Sequence, residues 1–175
     1  PVLDVRRKFT NKIIGDRSFS SNPKIVSKLG DYCISKYHKH HIGTIIKHIP
    51  GHGLALVDSH KKLPVVNANV NEIYKKDFKA FVNKKSLFAM TAHIVYKNID
   101  KYNCATHSKK VINLIRKKIG FKNLIISDDI SMKALKYSIK ENTTRSFMAG
   151  CNLVLHCNGK LSEMLQLAEN APIVD

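Results

Sequence analysis

The chain contains no tryptophan, and aromatic residues make up only 7% of its 175 residues. It has no interleaved aromatic platform of the kind that stacks single-stranded nucleic acid. No apolar run approaches the ~20 residues needed to cross a bilayer, so no membrane partner is expected. The amino end, Pro1-Val2-Leu3-Asp4-Val5, reads as a strand and not as a leader peptide. Cysteine is sparse: Cys33, Cys104, Cys151 and Cys157 are widely spaced, without metal-ligand spacing. That pattern argues for reduced thiols in a cytoplasmic protein, not a disulfide framework. Acidic residues are also few, 13 against 30 Lys and Arg, which leaves a formal charge of +17.

Such a charge raises the question of nucleic acid, because phosphate backbones attract basic proteins without sequence readout. However, only Arg6, Arg7, Arg17, Arg116 and Arg145 are guanidinium donors; the other basic residues are Lys, scattered over every helical pattern. No recognisable nucleic-acid motif is present, so no specific nucleic-acid partner is expected. The His38-Lys39-His40-His41 run at a helix end before Gly43 has the ring nitrogens to bind a metal, but such histidines more often meet terminal carbonyl groups. No metal is expected there.

The densest concentration of chemically able side chains is Lys47-His48-Ile49-Pro50-Gly51-His52-Gly53, followed by Asp58-Ser59-His60. An apolar strand pattern precedes it, so Lys47 and His48 emerge where a strand ends. Pro50, Gly51 and Gly53 block a helix and leave a long connection carrying Asp58 and His60. In extended chain, side chains two apart share a face, which lets the Asp58 carboxylate accept a hydrogen bond from His60 and raise the basicity of its ring.

Along the chain, strands and helices alternate. Strand patterns cover residues 2–4, 43–48, 86–94, 124–128 and 152–157. A loop covers 13–20. Helical spacing runs from Pro23 through Ile25, Val26, Leu29, Cys33 and Tyr37, over residues 72–82, and through Val111, Ile112, Ile115 and Ile119 to a stop at Gly120. Residues 131–149 read as a helix interrupted near Glu141–Thr143, and residues 161–168 as a last helix. Strands apolar on both faces, each followed by a helix, predict a parallel α/β sheet. Polar residues recur at successive strand ends: Asp4, Lys47 and His48, His93, Asp128, His156. A (β/α)₈ TIM barrel gathers such ends at one mouth, whereas a doubly wound sheet favours one switch point. About five βα units do not close eight strands, so residues 1–175 are expected to form a partial barrel, one domain, lacking the first strands.

Six blocks carry a specific resemblance: Pro1-Val2-Leu3-Asp4, Ile14-Gly15-Asp16-Arg17-Ser18-Phe19, Lys47 to Gly53, Asp58-Ser59-His60, Ala92-His93-Ile94-Val95-Tyr96, and Ser127-Asp128-Asp129-Ile130-Ser131-Met132. In this order they resemble the bacterial β-N-acetylhexosaminidase branch of glycoside hydrolase family three, the peptidoglycan-recycling enzymes. The resemblance implies a cytoplasmic retaining enzyme that removes terminal β-linked N-acetylglucosamine from peptidoglycan-derived saccharides without a metal or cofactor. It implies Asp128 as nucleophile, His60 paired with Asp58 as acid/base, and Arg17, Lys47 and His48 as sugar-binding donors. His52 and His93 would support the pocket. A histidine in place of the second carboxylate departs from the usual retaining pair. Two alternatives stay open: a sugar-binding remnant without turnover, and phosphorolysis in place of hydrolysis.

Overall fold

The computed structural model describes residues 1–59 and 62–173. Its elements in chain order are α1 (Pro23–Lys39), β1 (Ile45–Ile49), β2 (Val65–Val66), α2 (Val70–Lys76), β3 (Phe88–Thr91) and β4 (Val95–Tyr96). They continue with α3 (Lys109–Leu114), β5 (Leu124–Asp129), α4 (Ile139–Ala149), β6 (Leu153–Leu155) and α5 (Leu161–Asn170).

The principal sheet is parallel, ordered β1-β3-β5-β6. Sheet order follows chain order with no reversal, so no switch point exists among these strands; this is the winding of a barrel wall. Val2 forms a parallel bridge to Lys47 on the free side of β1, with Leu3 N donating to Lys47 O at 2.7 Å. The second pairing, β2 with β4, is a two-residue parallel ribbon that no sequence pattern announced. Its strands follow β1 and β3, so it sits beyond the carboxyl ends of the main sheet. At the other margin, among the described residues, β6 has only β5 as a neighbour, and α5 packs on α4 without burying any residue.

Leu3, Val26, Ile46, Ile73, Phe78, Phe81, Ala89, Ile115, Phe121 and Ile125 lie within one buried apolar cluster. These residues come from strands and from the faces of α1, α2 and the α3 region. Burying a side chain of this size contributes about 1.5–3 kcal/mol, and the cluster fixes how the strand ends are presented.

Several expected boundaries shift. The helix expected over 72–82 ends as α2 at Lys76 and resumes as a 3₁₀ turn, Phe78–Phe81. The helix marked by Val111 to Ile119 starts on a Ser108 cap, widens to a π-turn at Ile115–Ile119, and stops at Gly120, whose φ of 78° is left-handed. Residues 131–138 are not helical, because the Asp129 carboxylate accepts from Ser131 N at 3.0 Å and Asn142 Nδ2 donates to Tyr137 O at 3.1 Å. These side-chain bonds offer the backbone an alternative to helical bonding. The expected break at Glu141–Thr143 does not occur. Ser138 caps α4 through Glu141 N, and Thr143 Oγ1 donates back to Ile139 O at 2.8 Å, so the helix runs unbroken. Strands β1, β3 and β6 are also shorter than their patterns, because ladder pairing ends before hydrophobicity does, whereas β5 runs one residue further, to Asp129.

Candidate active site

The site is organised around Asp4, which ends the first extended segment and is fully buried. Its carboxylate accepts His48 N at 3.2 Å, His52 N at 2.7 Å and His48 Nδ1 at 2.7 Å. A carboxylate only accepts at this geometry, so Nδ1 carries the proton and Nε2 is the other polar atom of the ring. Burial alone would raise the Asp4 pKa, but the His48 ring, its hydrogen bond and the His52 backbone hold it below the usual carboxylate range. Two cis peptide bonds, Lys47–His48 and Ile49–Pro50, lie in this turn.

Behind the turn lies a second acidic group. Asp77 is 1% exposed and pairs with the Arg7 guanidinium; Arg7 also approaches Glu72 at 3.6 Å. Burial outweighs the Arg7 charge and pushes Asp77 up to about 6. The Gly51–Gly53 backbone presses against this pair. A Cβ on Gly53 would stand 2.0 Å from Val5 O and 3.0 Å from Asp77 Oδ1, so only glycine fits there. Tyr96, from β4, donates its hydroxyl to Gly51 O, which explains why the small ribbon matters to the turn.

On the opposite side, the segment just after β3 presents His93, and β5 ends in Asp128 and Asp129. His93 Nε2 meets Asp129 O at 3.0 Å, and since a carbonyl only accepts, Nε2 donates. Nδ1 therefore accepts, from Thr106 Oγ1 at 2.7 Å. Burial lowers the His93 pKa against the opposing field of Asp128, and burial likewise lowers that of His52, which also feels Asp128. Two largely buried, neutral imidazoles thus stand within electrostatic reach of Asp128.

The adjacent carboxylates are bonded differently. Asp129 accepts Ser131 N at 3.0 Å, Ser131 Oγ at 2.8 Å and Cys157 N at 3.1 Å, tying the β5 end to the segment after β6. Among the described residues, Asp128 accepts only from Asp129 N, at 2.8 Å. Asp129 is thus engaged by several donors, and Asp128 by one.

The remaining candidates are placed less uniformly. Lys47 is half-buried on β1. Arg17 is exposed on a short 3₁₀ turn and its Nε donates to Ile13 O at 2.8 Å; among the described residues no bond joins it to Asp4 or His48. Asp58 is half-buried, and its carbonyl accepts Lys62 N at 3.0 Å. Ser59 Oγ lies 3.4 Å from His52 Nε2, which connects this loop to the histidine cluster. His60 lies outside the described residues. His38 spends Nε2 on Thr44 Oγ1 at 3.0 Å. No cluster of three potential metal ligands exists among the described residues.

Sequence reasoning left the central role of Asp4 and the Arg7–Asp77 pair unassigned. Asp4 had one signal, its place at a strand end; Asp77, inside a helical pattern, had none.

Comparison with known proteins decides the family. The N-terminal domain of glycosyl hydrolase family 3 matches residues 1–174. The chain belongs to that family. A beta-hexosaminidase of Haemophilus influenzae is 33% identical over 183 residues, covering 98% of this chain and 52% of the relative. The family 3 beta-N-acetylglucosaminidase of a Paenibacillus strain superposes with a TM-score of 0.92 at 25% identity, covering 97% of this chain and 34% of that one. NagZ of Neisseria gonorrhoeae, in complex with N-trifluoroacetyl-D-glucosamine, gives a TM-score of 0.88 at 34% identity, covering 100% of this chain and 51% of that one. The fold is accordingly part of the family's (β/α)₈ barrel. The chain spans about half the length of the curated relatives it matches.

Proposed function

We propose that the protein is a retaining β-N-acetylhexosaminidase that releases terminal, non-reducing β-linked N-acetylglucosamine from peptidoglycan fragments during cell-wall recycling in the cytoplasm. The supporting observation is the Asp128 carboxylate, open for a ligand beside the buried neutral rings of His52 and His93. Family membership, hexosaminidase relatives, and a related structure holding an N-acylated glucosamine support the same reading.

In this mechanism an Asp128 oxygen attacks the anomeric carbon. The bond from that carbon to the leaving oxygen breaks, and His60 donates its proton to that oxygen. A water then attacks the anomeric carbon as His60 takes its proton, and the carbon–Asp128 bond breaks. Two inversions give net retention. Asp58 stabilises the His60 cation, which lets one imidazole serve as acid and then as base near neutral pH. Lys47, Arg17 and the Asp4-oriented His48 serve the sugar hydroxyls and the acetamido group. The unpaired thiols suit a reducing compartment.

The test is release of 4-nitrophenol from its β-N-acetylglucosaminide by the wild-type chain and by Asp128→Asn, with and without chelator. Chelator-insensitive turnover, lowered by at least about a thousandfold in the variant, is the expected result. Turnover that survives Asp128→Asn would remove Asp128 as nucleophile.

A further inference from the structure

Thr91, His93 and Thr106 are all buried, and none of them is among the acid/base or sugar-binding groups of the mechanism above. Thr91 ends β3, His93 follows it by two residues, and Thr106 lies on the 3₁₀ turn Ala105–His107. Thr106 Oγ1 stands 2.9 Å from Thr91 Oγ1 and 2.7 Å from His93 Nδ1, and His93 Nε2 stands 3.0 Å from Asp129 O. The protons give this chain of bonds one direction. The Asp129 carbonyl only accepts, so the ring proton is on Nε2 and Nδ1 takes the single hydroxyl proton of Thr106. Thr106 Oγ1 then accepts in turn, and Thr91 donates to it. The other acceptor beside Thr106, Ala92 O, is farther away at 3.4 Å.

The bonds end on residue 129, which is held from several sides. Its carboxylate accepts Ser131 Oγ at 2.8 Å and Cys157 N at 3.1 Å, and the next amide, Ile130 N, donates to Leu155 O at 2.9 Å. The Cys157 and Leu155 bonds reach toward β6, and His93 supplies the tie from the β3 side. Held in this way, the Asp129 amide donates to Asp128 Oδ1 at 2.8 Å and sets the plane of that carboxylate. The His93 donor is uncharged: burial lowers its pKa against the fields of Asp128 and Asp129, so the ring is neutral near pH 7. A cation in its place would pair with Asp128 and weaken it as a nucleophile, whereas a neutral N–H grips the neighbouring carbonyl and leaves the carboxylate its charge.

Resting on the reading of Asp128 as nucleophile, we infer that His93 is a positioning residue: the directed bonds from Thr91 through Thr106 and His93 clamp residue 129, so that the Asp128 carboxylate meets the anomeric carbon in one orientation. A misplacement of about 1 Å costs about a hundredfold in rate, which sets the size of the effect. Sugar binding rests on Arg17, Lys47 and His48 in the same reading, so loosening the clamp lowers kcat and spares KM.

The test measures kcat and KM for the 4-nitrophenyl β-N-acetylglucosaminide with wild type and with variants of His93 and Thr106. His93→Phe keeps a ring and removes the donor, and kcat is expected to fall about a hundredfold with KM within about twofold. His93→Gln returns an uncharged amide N–H and should regain about tenfold of that loss. Thr106→Val keeps the side-chain shape and leaves His93 in place; it should lower kcat about tenfold, and Thr106→Ser should restore it. Equal losses in His93→Phe and His93→Gln, or a change confined to KM, would overturn the inference, because packing alone predicts no rescue by a donor. If His93→Phe does not fold, the two Thr106 variants decide. ¹⁵N NMR gives a readout that needs no turnover. Wild type should carry the His93 proton on Nε2 near neutral pH, and Thr106→Val should move the Asp129 amide signal, which Thr106→Ser returns. A ring protonated on Nδ1, or an Asp129 amide indifferent to Thr106→Val, would overturn the clamp. An inactive wild type counts against the functional reading, while these signals still decide the clamp.

Discussion

Asp4→Asn perturbs the centre of the site with the smallest change of shape. The carboxylate accepts three N–H groups, from His48 N, His48 Nδ1 and His52 N. Asparagine keeps one acceptor oxygen for the two backbone groups, but its NH₂ then faces His48 Nδ1, which must give up its proton and accept. The number of hydrogen bonds survives and the charge does not. Charge-assisted bonds are about twice as strong as neutral ones, so roughly 1 kcal/mol is lost at each of three, about 3 kcal/mol in all. Relief from burying a charge offsets part of this. Since the Asp4 pKa is held below its ordinary value, the bonds outweigh the burial cost, and a net loss of about 2 kcal/mol is expected. With a urea slope of about 2 kcal/mol per M, the unfolding midpoint at pH 7 should fall by about 1 M. The sign with pH follows from a depressed folded-state pKa. The Asp4 contribution is complete above the unfolded carboxylate value near 3.9 and is lost as pH falls through the folded value, so the gap between wild type and variant narrows only below about pH 4. A midpoint shift below about 0.3 M at pH 7, or a gap that stays constant to about pH 2, would refute this account.

Gly53→Ala should cost about 3 kcal/mol or more, read as a lowered thermal midpoint, because the added methyl falls 2.0 Å from Val5 O. Asp77 has the opposite pH sign to Asp4: its folded pKa is raised to about 6, so wild-type stability should decline between about pH 4 and pH 6. Asp77→Asn should lack that segment of the pH–stability curve, whatever its absolute stability; identical slopes would show that burial does not govern this carboxyl. Cys104 and Cys151, buried with pKa values pushed up to about 11 and about 12, should resist a thiol reagent until unfolding, while exposed Cys157 reacts in the native chain. Timed labelling with a chromogenic disulfide, followed by peptide mapping, checks the order.

Legibility followed the range of the interactions. The stop at Gly120 and the β5 pattern are local, and they appear close to where periodicity and cap residues put them; on α1, by contrast, the expected stripe shares only Val26 with the buried face of Val26, Gly30 and Ile34, and Ile25, Leu29 and Tyr37 are exposed. The stretch 131–138 misled because its helical spacing competes with Asx and amide bonds from Asp129 and Asn142, partners that only the folded turn brings within reach. The site shows the same division. Lys47 to Gly53 stands out in sequence because glycine, proline and ionisable groups crowd together, whereas Arg7 and Asp77 are 70 residues apart and meet only under the turn. Arg17, singled out by its block, sits exposed and bonded to its own turn.

The sequence by itself determined the parallel α/β class, the family, and the polar residues at successive strand ends, because burial on both sheet faces and the glycine requirement of a tight turn act on neighbouring residues. Only the tertiary structure decided how each carboxylate is bonded. Asp128 and Asp129 are chemically identical neighbours, and nothing in the chain distinguishes their bonding. Folding gives Asp129 the Cys157 amide and Ser131, gives Asp128 only the Asp129 amide among the described residues, and seals Asp4 away from water, where three donors keep it charged. The physical reason is that hydrogen bonding and desolvation depend on which atoms meet across the sheet, and that is a property of the closed fold.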